Sequence, residues 1–275
     1  MSSPLRPIAY VLASTNHGSM IVNRNDQAEY DSGDKFGVGF QLLTRSAFDP
    51  EEVNLALMML TQRRNNFGPG VVAIDGGANI GVHTLEWSRH MHGWGRVLSF
   101  EAQEYVYYAL AGNIALNNCW NASARWMALG EQVGHIDIPQ PDYLSPGSFG
   151  SLELRPRPQT EFIGQEVSYD LQDCVRTPMT SIDALELERL DFIKIDVEGM
   201  EADVLRGARA TLQRCRPIVM AEMIKSNLDE LVSLLDAAGY HVITEGAGLN
   251  LVALHESDPA RQQIRVVKTE VPAGG

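Results

Sequence analysis

The chain contains 275 residues, with 22 Lys and Arg against 35 Asp and Glu, and its formal net charge at pH 7 is −13. This length predicts one large α/β domain with additions. The negative net charge and the lack of any run of Lys or Arg exclude a protein that binds along the phosphate backbone of nucleic acid. Three widely spaced cysteines favour a reducing, cytoplasmic compartment, and no apolar run approaches the ~18 residues of a membrane span, so no stable membrane insertion is expected.

Residues 1–48 are predicted to form an N-terminal extension. Short apolar segments at residues 8–13 and 20–22 indicate one or two strands. Gly37 and Gly39 lie close together and indicate a turn. The extension is therefore expected to contribute short strands and polar turns before the main domain begins.

The main domain is predicted to cover residues 49–256 and to begin with a helix. Asp49 suits the N-cap, Pro50 the first helical position and Glu52 the capping-box position. These signals predict a helix over about residues 53–65.

The next segment predicts a buried strand, a tight turn and the start of another helix. Val71–Ile74 lacks the alternation of a half-exposed strand, which favours a central parallel strand. It runs into Asp75-Gly76-Gly77-Ala78-Asn79-Ile80-Gly81, where glycines let the backbone approach a ligand and the following helix presents free N–H groups. A dinucleotide fingerprint would be G-x-G-x-x-G. Here the spacing differs, and the acid at the end of the strand favours a cation such as the amino group or sulfonium of S-adenosylmethionine.

The alternation of strand and helix continues after this turn. Helices are predicted over about residues 81–92 and 105–117, and strands over 96–100 and 124–129. This pattern is typical of a doubly wound parallel sheet.

A second acid, Glu101, ends the strand at 96–100. A carboxylate at this position can accept both hydroxyls of a ribose. Ligands of doubly wound sheets lie beyond the carboxyl ends of the strands, so Asp75, Glu101 and the Ala128-Leu129 corner are expected to converge around an adenosyl cofactor. His83, shortly after the turn, is a further candidate for ligand contact.

Residues 131–179 are predicted to be a β-rich insertion, because proline is dense there and residues 151–154 alternate like a short strand. Long insertions between core strands are usually arms or lids. We therefore assign acceptor selectivity to this segment, together with subunit contacts if the protein is a homo-oligomer. Arg155 and Arg157 are candidates for contact with an anionic substrate.

Two further predicted strands end in acids. Residues 191–195 form a buried-type strand that is followed by Asp196 and Glu198, and residues 217–222 end in Glu222. The carboxylates should project into one cavity, because parallel strands end at the same edge of a sheet.

The last predicted elements complete the fold. A helix over 200–214 separates the two acid-ended strands, and a helix over 227–238 precedes a hairpin of residues 240–244 and 249–254, with a loose tail at 257–275. A terminal hairpin on a mostly parallel seven-stranded sheet is expected of the α/β class I methyltransferase Rossmann-like fold.

Several motifs resemble one family. They are Asp-Gly-Gly-Ala-Asn-Ile-Gly at 75–81, Ser-Phe-Glu-Ala at 99–102, Asn-Ile-Ala-Leu-Asn at 113–117, Phe-Ile-Lys-Ile-Asp-Val-Glu-Gly-Met-Glu at 192–201 and Leu-Arg-Gly-Ala at 205–208. Together they resemble the FkbM family of S-adenosylmethionine-dependent methyltransferases. The resemblance implies O-methylation of a hydroxyl on a small molecule, sugar or glycolipid. Two departures concern the acceptor: many relatives carry Pro after the strand-end Glu, where this chain has Ala102-Gln103, and the extension is not part of the shared core.

The predicted cofactor-binding residues come from these motifs and the strand ends. They are Asp75, Gly76, Gly77, Ala78, Asn79, Gly81, Thr84, Glu101, Ala102, Asn113, Ala128, Leu129 and Asp196.

The predicted catalytic residues are Asp196, Glu198 and Glu222. A hydroxyl acceptor has to lose its proton, so Asp196 or Glu198 is expected to take it. In an alternative, Asp196 and Glu222 hold a divalent cation that binds the acceptor oxygen. The expected partner is a small-molecule or glycan acceptor.

Two other classes of function remain open at this point. An NAD-dependent oxidoreductase is opposed by the glycine spacing and by Asp75. A non-catalytic S-adenosylmethionine-binding protein would keep the cofactor site with a blocked acceptor site, which nothing in the sequence favours.

Overall fold

The protein is described by a computed structural model that covers residues 7–29 and 33–262. In chain order, its strands and helices are β1 (Tyr10–Thr15), β2 (Gly18–Asn23), β3 (Ala28–Glu29), β4 (Lys35–Phe36), α1 (Val38–Arg45), α2 (Pro50–Phe67), β5 (Val71–Gly76), α3 (Val82–His90), β6 (Gly95–Glu101), α4 (Glu104–Leu116), β7 (Ala122–Trp126), β8 (Ala128–Leu129), β9 (Gly134–Pro139), β10 (Cys174–Thr180), β11 (Phe192–Ile195), α5 (Glu201–Arg206), α6 (Arg209–Cys215), β12 (Ile218–Glu222), α7 (Leu228–Ala237), β13 (Tyr240–Ile243) and β14 (Asn250–His255). The predicted tail lies mostly outside the described residues, and its described part ends in a 3-10 turn at Pro259–Gln262.

The central sheet has the strand order β13-β14-β12-β11-β5-β6-β7. Of these seven strands in the described part of the chain, β14 alone runs against the others. The chain leaves β5 toward β6 on one side and later returns to β11 on the other, so the switch point lies between β5 and β11. Ligands of such sheets bind beyond the carboxyl ends of the strands at this point. The predicted class I methyltransferase Rossmann-like fold with its C-terminal hairpin is confirmed.

Both faces of the sheet are covered, as the uninterrupted apolar run before the turn predicts. Val72 and Ile74 of β5 belong to an apolar cluster with α5, α6 and α7. Val71 and Ala73 belong to a second cluster, built with residues of α2 and α3 such as Trp87. Alternate side chains of β5 thus enter opposite layers, which explains why the strand has no polar face.

The predicted strand at 124–129 is divided between two sheets. β7 is the edge of the central sheet, whereas β8 pairs with β10 in a small sheet of order β8-β10-β9. This small sheet anchors both ends of the predicted β-rich insertion at the carboxyl end of the central sheet. The division brings Ala128 and Leu129 beside the predicted ligand site.

The predicted strand at residues 151–154 is wrong. The chain forms a 3-10 turn at Phe149–Ser151 and continues without strand pairing among the described residues. Leu152, Glu153 and Leu154 are all buried, so the alternating residue types do not correspond to alternating faces of a strand.

The predicted helix at 200–214 is interrupted, and forms α5 and α6 instead. The interruption lies at Gly207, where a Cβ would be 2.2 Å from the carbonyl oxygen of Gly130. The absence of a side chain lets the chain pack directly on the backbone that follows β8.

The extension contains a helix, α1, where the glycines predicted only a turn. At Gly39, a Cβ would lie 2.3 Å from the carbonyl oxygen of Asn23, so this glycine marks close backbone packing. The Asp26 carboxylate accepts hydrogen bonds from the N–H of Gly39 at 2.8 Å and from that of Phe149 at 3.0 Å. Asp26 therefore joins α1 to the insertion, and both segments close over the end of the sheet.

Replacing Asp26 by Asn is expected to lower the free energy of unfolding by about 1–3 kcal/mol, because the amide turns one of the two acceptors into a donor facing a buried N–H. Urea unfolding followed by tryptophan fluorescence measures this. Asp137→Asn is the matched control, since Asp137 is exposed on β9 and should change stability by less than about 0.5 kcal/mol. Equal stability of the two variants would contradict this role of Asp26.

Candidate active site

A cavity of about 420 Å³ opens at the carboxyl ends of β5, β6, β11 and β12. Residues of the extension and of the insertion form its outer wall, among them Val38 and Leu152. Its size is within the range of small-molecule sites. The cavity therefore lies where the strand-end residues predict a ligand.

The turn after β5 packs against the end of β11. Gly77 has φ +78°, and a Cβ there would lie 1.7 Å from the carbonyl oxygen of Asp196. Only glycine fits this contact. Gly77, Ala78 and Asn79 line the cavity at this contact.

Glu101 connects this turn to the end of β6. Its carboxylate accepts hydrogen bonds from the N–H of Asn79 at 2.9 Å and of Gln103 at 2.8 Å. Burial raises the pKa of Glu101 to about 7, and the charge of Asp196 acts in the same direction, although the backbone hydrogen bonds oppose it. The cavity is therefore lined on this side by a carboxylate that titrates near neutral pH.

The predicted cofactor-binding residues divide into two groups. Those that line the cavity are Gly77, Ala78, Asn79, Glu101, Ala102, Ala128, Leu129 and Asp196. The structure places the others behind the wall, and these are Asp75, Gly76, Gly81, Thr84 and Asn113.

The residues behind the wall hold the turn in place. Thr84 donates to Asp75 Oδ2 at 2.6 Å, and the Asn113 amide donates to the carbonyl oxygen of Ile80 at 2.8 Å. Asp75 Oδ1 is buried without a hydrogen-bond partner among the described residues. The buried carboxylate of Asp75 lies directly behind the glycine turn, so through its charge, without contact, it fits a cationic ligand such as S-adenosylmethionine in the cavity.

The three predicted catalytic acids converge. One carboxylate oxygen each from Asp196, Glu198 and Glu222 lies within 4.8 Å of the others. Lys194 is 2.7 Å from Asp196, and Lys225 hydrogen-bonds to Glu198. We refer to Asp196, Glu198 and Glu222 as the acidic cluster, which holds one more acid than the two lysines neutralise.

The excess of acids over lysines is accompanied by raised pKa values for two members of the cluster. Burial, followed by the charge of Asp196, raises the pKa of Glu222 to about 8. The same causes raise the pKa of Glu198, although Lys225 opposes them. Glu222 Oε2 is buried and has no hydrogen-bond partner in the described part of the chain. The cluster can therefore accept a proton or a cation.

Sequence reasoning missed Glu52, which it assigned only to capping α2. Its carboxylate accepts from the Asn250 amide at 2.7 Å and lies 3.4 Å from Lys194 Nζ. His83 Nε2 is 2.9 Å away, an ion-pair distance without hydrogen-bond geometry. Burial opposes ionisation of Glu52, but Lys194 and His83 more than offset it and hold its pKa far below the usual range. The available signal was Lys194 itself, because a lysine inside an apolar strand needs buried acids around it.

The predicted contact of Arg155 and Arg157 with an anionic substrate is not supported. Arg155 pairs with Asp203 at 2.7 Å, and Arg157 lies 3.8 Å from Glu153. Neither arginine lines the cavity. Both are positioned by acids outside it.

Comparison with known proteins decides the family. Residues 75–242 match the family model described as the Methyltransferase FkbM domain. The chain belongs to the FkbM methyltransferase family. This FkbM protein is 28% identical over 196 residues to methyltransferase sdnD of Sordaria araneosa, and the match covers 63% of this chain and 75% of that protein. As an FkbM family member, it is an S-adenosylmethionine-dependent methyltransferase.

The FkbM chain is also similar to solved structures. One is the methyltransferase FkbM from Methylobacillus flagellatus KT, with 17% identity and a TM-score of 0.47, where the similarity covers 78% of this chain and spans 58% of that one. Another is the O-methyltransferase from Bacillus cereus in complex with SAH, with 14% identity, a TM-score of 0.41 and coverage of 76% and 82%. Within residues 7–29 and 33–262, no helix of the FkbM protein combines the length and the apolar character needed to cross a membrane.

Proposed function

We propose that this methyltransferase transfers the methyl group to a hydroxyl oxygen of a small-molecule or glycan acceptor. The convergence of the acidic cluster inside the cavity carries this proposal. Methyl transfer is an in-line displacement, so holding the acceptor oxygen against the methyl group supplies much of the rate. A hydroxyl must also lose a proton, and a buried carboxylate beside it can take that proton.

The cofactor half of the site is proposed to lie along the β5 turn and the end of β6. Glu101 would accept the ribose hydroxyls, and Gly77, Ala78 and Asn79 would offer their backbone. Ala102, Ala128 and Leu129 supply small or apolar surface for the base. S-adenosylmethionine supplies the methyl group on a positively charged sulfur. Asp75, Gly76, Gly81, Thr84 and Asn113 would support this wall from behind.

We propose residues 49–256 as the methyltransferase domain, following an extension over residues 1–48 whose described part, together with the 131–179 insertion, closes the acceptor side. Val38 and Leu152, one from each segment, line the cavity. Asp26 connects the two segments through its paired hydrogen bonds.

Binding of S-adenosylhomocysteine should weaken up to about tenfold between pH 8.5 and pH 6, because the carboxylate of Glu101 takes up a proton as the pH falls through about 7. The protonated acid offers fewer acceptor sites to the ribose. Glu101→Gln should bind weakly at both pH values. Isothermal titration calorimetry measures the affinities.

Glu104→Gln is the matched control for Glu101, because Glu104 accepts a hydrogen bond from the exposed Tyr108 hydroxyl and does not line the cavity. It should retain the pH dependence of the unaltered protein. A pH dependence that persists in Glu101→Gln would assign the titration to another group.

Two routes are open for the proton within the proposed reaction. In the first, Asp196 or Glu198 takes the proton from the acceptor. In the second, Asp196 and Glu222 hold a divalent cation, which their oxygen ligands suit and which would lower the pKa of the acceptor hydroxyl. Activity that survives EDTA supports the first route, and activity restored by Mg²⁺ after EDTA supports the second.

The charge of the cavity favours an uncharged or basic acceptor. Lys194 and Lys225 are outnumbered by the acids that line the cavity, which are Asp49, Glu52, Glu101, Glu161, Asp196, Glu198 and Glu222. An acceptor with a phosphate or carboxylate near its reacting hydroxyl would meet like charge on the ionised members of this set, and more of it above pH 8, where Glu101 and Glu222 have also lost their protons.

Labelled transfer tests the proposed function. The protein is incubated with isotopically labelled S-adenosylmethionine and a metabolite extract, and mass spectrometry locates the label in the products. A label on oxygen supports the proposal, whereas a label on nitrogen or carbon would contradict it. Binding of S-adenosylhomocysteine against NAD, measured on the same protein, provides an independent check of the cofactor.

A further inference from the structure

Gln103 is a buried residue of the cavity wall that lies two positions after Glu101, the last residue of β6. Both ends of its side-chain amide are hydrogen-bonded to the insertion. Nε2 donates to the carbonyl oxygen of Phe149 at 2.8 Å, and Oε1 accepts from the Tyr143 hydroxyl at 3.0 Å. One buried side chain therefore joins the end of β6 to the insertion.

This side chain does not serve the helix that it precedes. Gln103 is the N-cap residue of α4, yet its amide makes no capping hydrogen bond. Ser, Thr, Asp and Asn are preferred at an N-cap, because their short side chains reach the first free N–H groups of the helix. A longer amide that reaches the insertion occupies the position instead. Holding the insertion accounts for a glutamine here, whereas helix capping does not.

We refer to residues 143–152 of the insertion as the strap. Four of its residues line the cavity, and these are Ser148, Gly150, Ser151 and Leu152. At Gly150 the strap meets the turn after β5, since a Cβ there would lie 2.8 Å from Asn79 Nδ2. The carbonyl oxygen of Ser151 accepts from Lys225 Nζ at 2.7 Å, and Lys225 also hydrogen-bonds to Glu198. The strap therefore spans the cavity from the β5 turn to the acidic cluster.

Near the β5 turn, the strap is held from two sides. The N–H of Phe149 donates to Asp26 of the extension, and its carbonyl oxygen accepts from Gln103. The carbonyl oxygen of Tyr143 accepts from Asn23 Nδ2 of the extension at 3.0 Å, and its hydroxyl donates to Gln103. The extension thus holds one side of the strap, and the Gln103 amide connects it to the central sheet.

The backbone of Gln103 acts on Glu101. Its N–H donates to Glu101 Oε1 at 2.8 Å, while the N–H of Asn79 donates to Oε2 at 2.9 Å. Gln103 therefore orients the proposed ribose-binding carboxylate through its backbone and holds the strap through its side chain. A substitution of the side chain releases the strap and leaves the backbone hydrogen bond to Glu101 in place.

We propose that Gln103 is a positioning residue for S-adenosylmethionine, which holds the strap over the ribose of the cofactor beside Glu101. The inference rests on the proposed cofactor site along the β5 turn and the end of β6. A strap that is already fixed needs no ordering when the cofactor binds, and this preorganisation favours retention of the cofactor. The acidic cluster lies at the other end of the strap, so the chemical step does not depend on the Gln103 amide.

Two variants and one matched control test the proposal. Gln103→Met keeps the length of the side chain and removes both hydrogen bonds. Tyr143→Phe removes one of them and keeps the aromatic ring. Gln165→Met is the control, because the Gln165 amide donates to the carbonyl oxygens of Asp142 and Pro146 within the insertion and does not line the cavity. Release of radiolabelled S-adenosylhomocysteine into excess unlabelled ligand is measured on the full chain.

Gln103→Met should speed the release of S-adenosylhomocysteine by about 10- to 100-fold, the range expected when two buried hydrogen bonds are lost. Tyr143→Phe should speed it by about 3- to 10-fold, and Gln165→Met should leave it unchanged. With the acceptor found by labelled transfer, Gln103→Met should raise the KM for S-adenosylmethionine and leave kcat nearly unchanged, which is the pattern of lost binding rather than lost chemistry. A purely structural glutamine would lower the midpoint of urea unfolding without changing release.

Unchanged release from Gln103→Met would overturn the proposal, and so would a loss of kcat with an unchanged KM. Equally fast release from Gln165→Met would overturn it as well, since loosening the insertion anywhere would then suffice. If Gln103→Met does not fold, Tyr143→Phe decides, and unchanged release from that variant overturns the proposal. Failure of the proposed cofactor site is distinguishable, because Glu101→Gln would then bind S-adenosylhomocysteine as well as the unaltered protein does.

Discussion

Replacing Asp196 by Asn is expected to reduce methyl transfer by a factor on the order of 10² to 10⁴, the range typical of a lost acid–base group. Asn preserves the shape and can still accept the hydrogen bond from Lys194 Nζ, which lies 2.7 Å from Asp196 Oδ2. What is lost is a negative charge at the centre of the acidic cluster. That loss also lowers the pKa of Glu198 and Glu222, whose values Asp196 helps to raise. The remaining acids therefore ionise at lower pH than before, but the carboxylate of Asp196 is missing from the cluster.

The measurement is kcat/KM with the acceptor found by labelled transfer, together with calorimetry of S-adenosylhomocysteine binding. Asp203→Asn is the control, because Asp203 lies on α5 and pairs with Arg155 and Arg206 outside the cavity. It should keep nearly full activity. Full activity of both Asp196→Asn and Glu222→Gln would refute the proposed roles of the cluster.

Gly77→Ala is expected to lower the free energy of unfolding by more than about 3 kcal/mol and to abolish cofactor binding. The added Cβ would lie 1.7 Å from the carbonyl oxygen of Asp196, so the turn after β5 and the end of β11 would have to separate. This separation opens the wall that the cofactor is proposed to contact. Backbone atoms form the contact, so no side chain can rotate away to relieve it.

Gly93→Ala is a closely matched control, because its φ is +76° against +78° at Gly77, and no atom lies within 4 Å of the added Cβ. It isolates the cost of the left-handed backbone, about 1 kcal/mol. Urea unfolding and calorimetry of S-adenosylhomocysteine binding compare the two variants. If the two variants were equally stable and both bound S-adenosylhomocysteine, the backbone around Gly77 would have accommodated the added Cβ, which would contradict the prediction.

The features that could be predicted from the sequence are those that depend on residues close together along the chain. The apolar run before Asp75, the glycine turn and the acids at the ends of β11 and β12 are all local patterns. Local patterns determine strands, turns and helix starts through backbone conformation and burial. The order of these elements was then enough to indicate the parallel sheet, because few topologies connect such a series.

Contacts between distant residues were the part that sequence reasoning could not provide. Asp26 meets Phe149 across 123 positions, and no period relates the two. The same holds for Glu52 and Lys194, which form an ion pair that was not predicted, with Lys194 buried and Glu52 partly buried. At Gly207 the helical pattern continues through the interruption, because the cause is a contact with the backbone at Gly130. In each case the contacting residue is distant in the chain and is brought close only by the folded structure.

The position of β14 bears on how this enzyme is synthesised. β14 lies between β12 and β13, and its Asn250 donates a hydrogen bond across 198 positions to Glu52, which lies 3.4 Å from Lys194 Nζ. Glu52 is synthesised long before Asn250. Until β14 has been synthesised, the growing chain therefore contains an incomplete sheet in which one edge of β12 is unpaired. Such edges are prone to pair with other chains. Pairing of β14 with β12 therefore covers this edge and brings Asn250, a residue of the cavity lining, to Glu52 in the same late step.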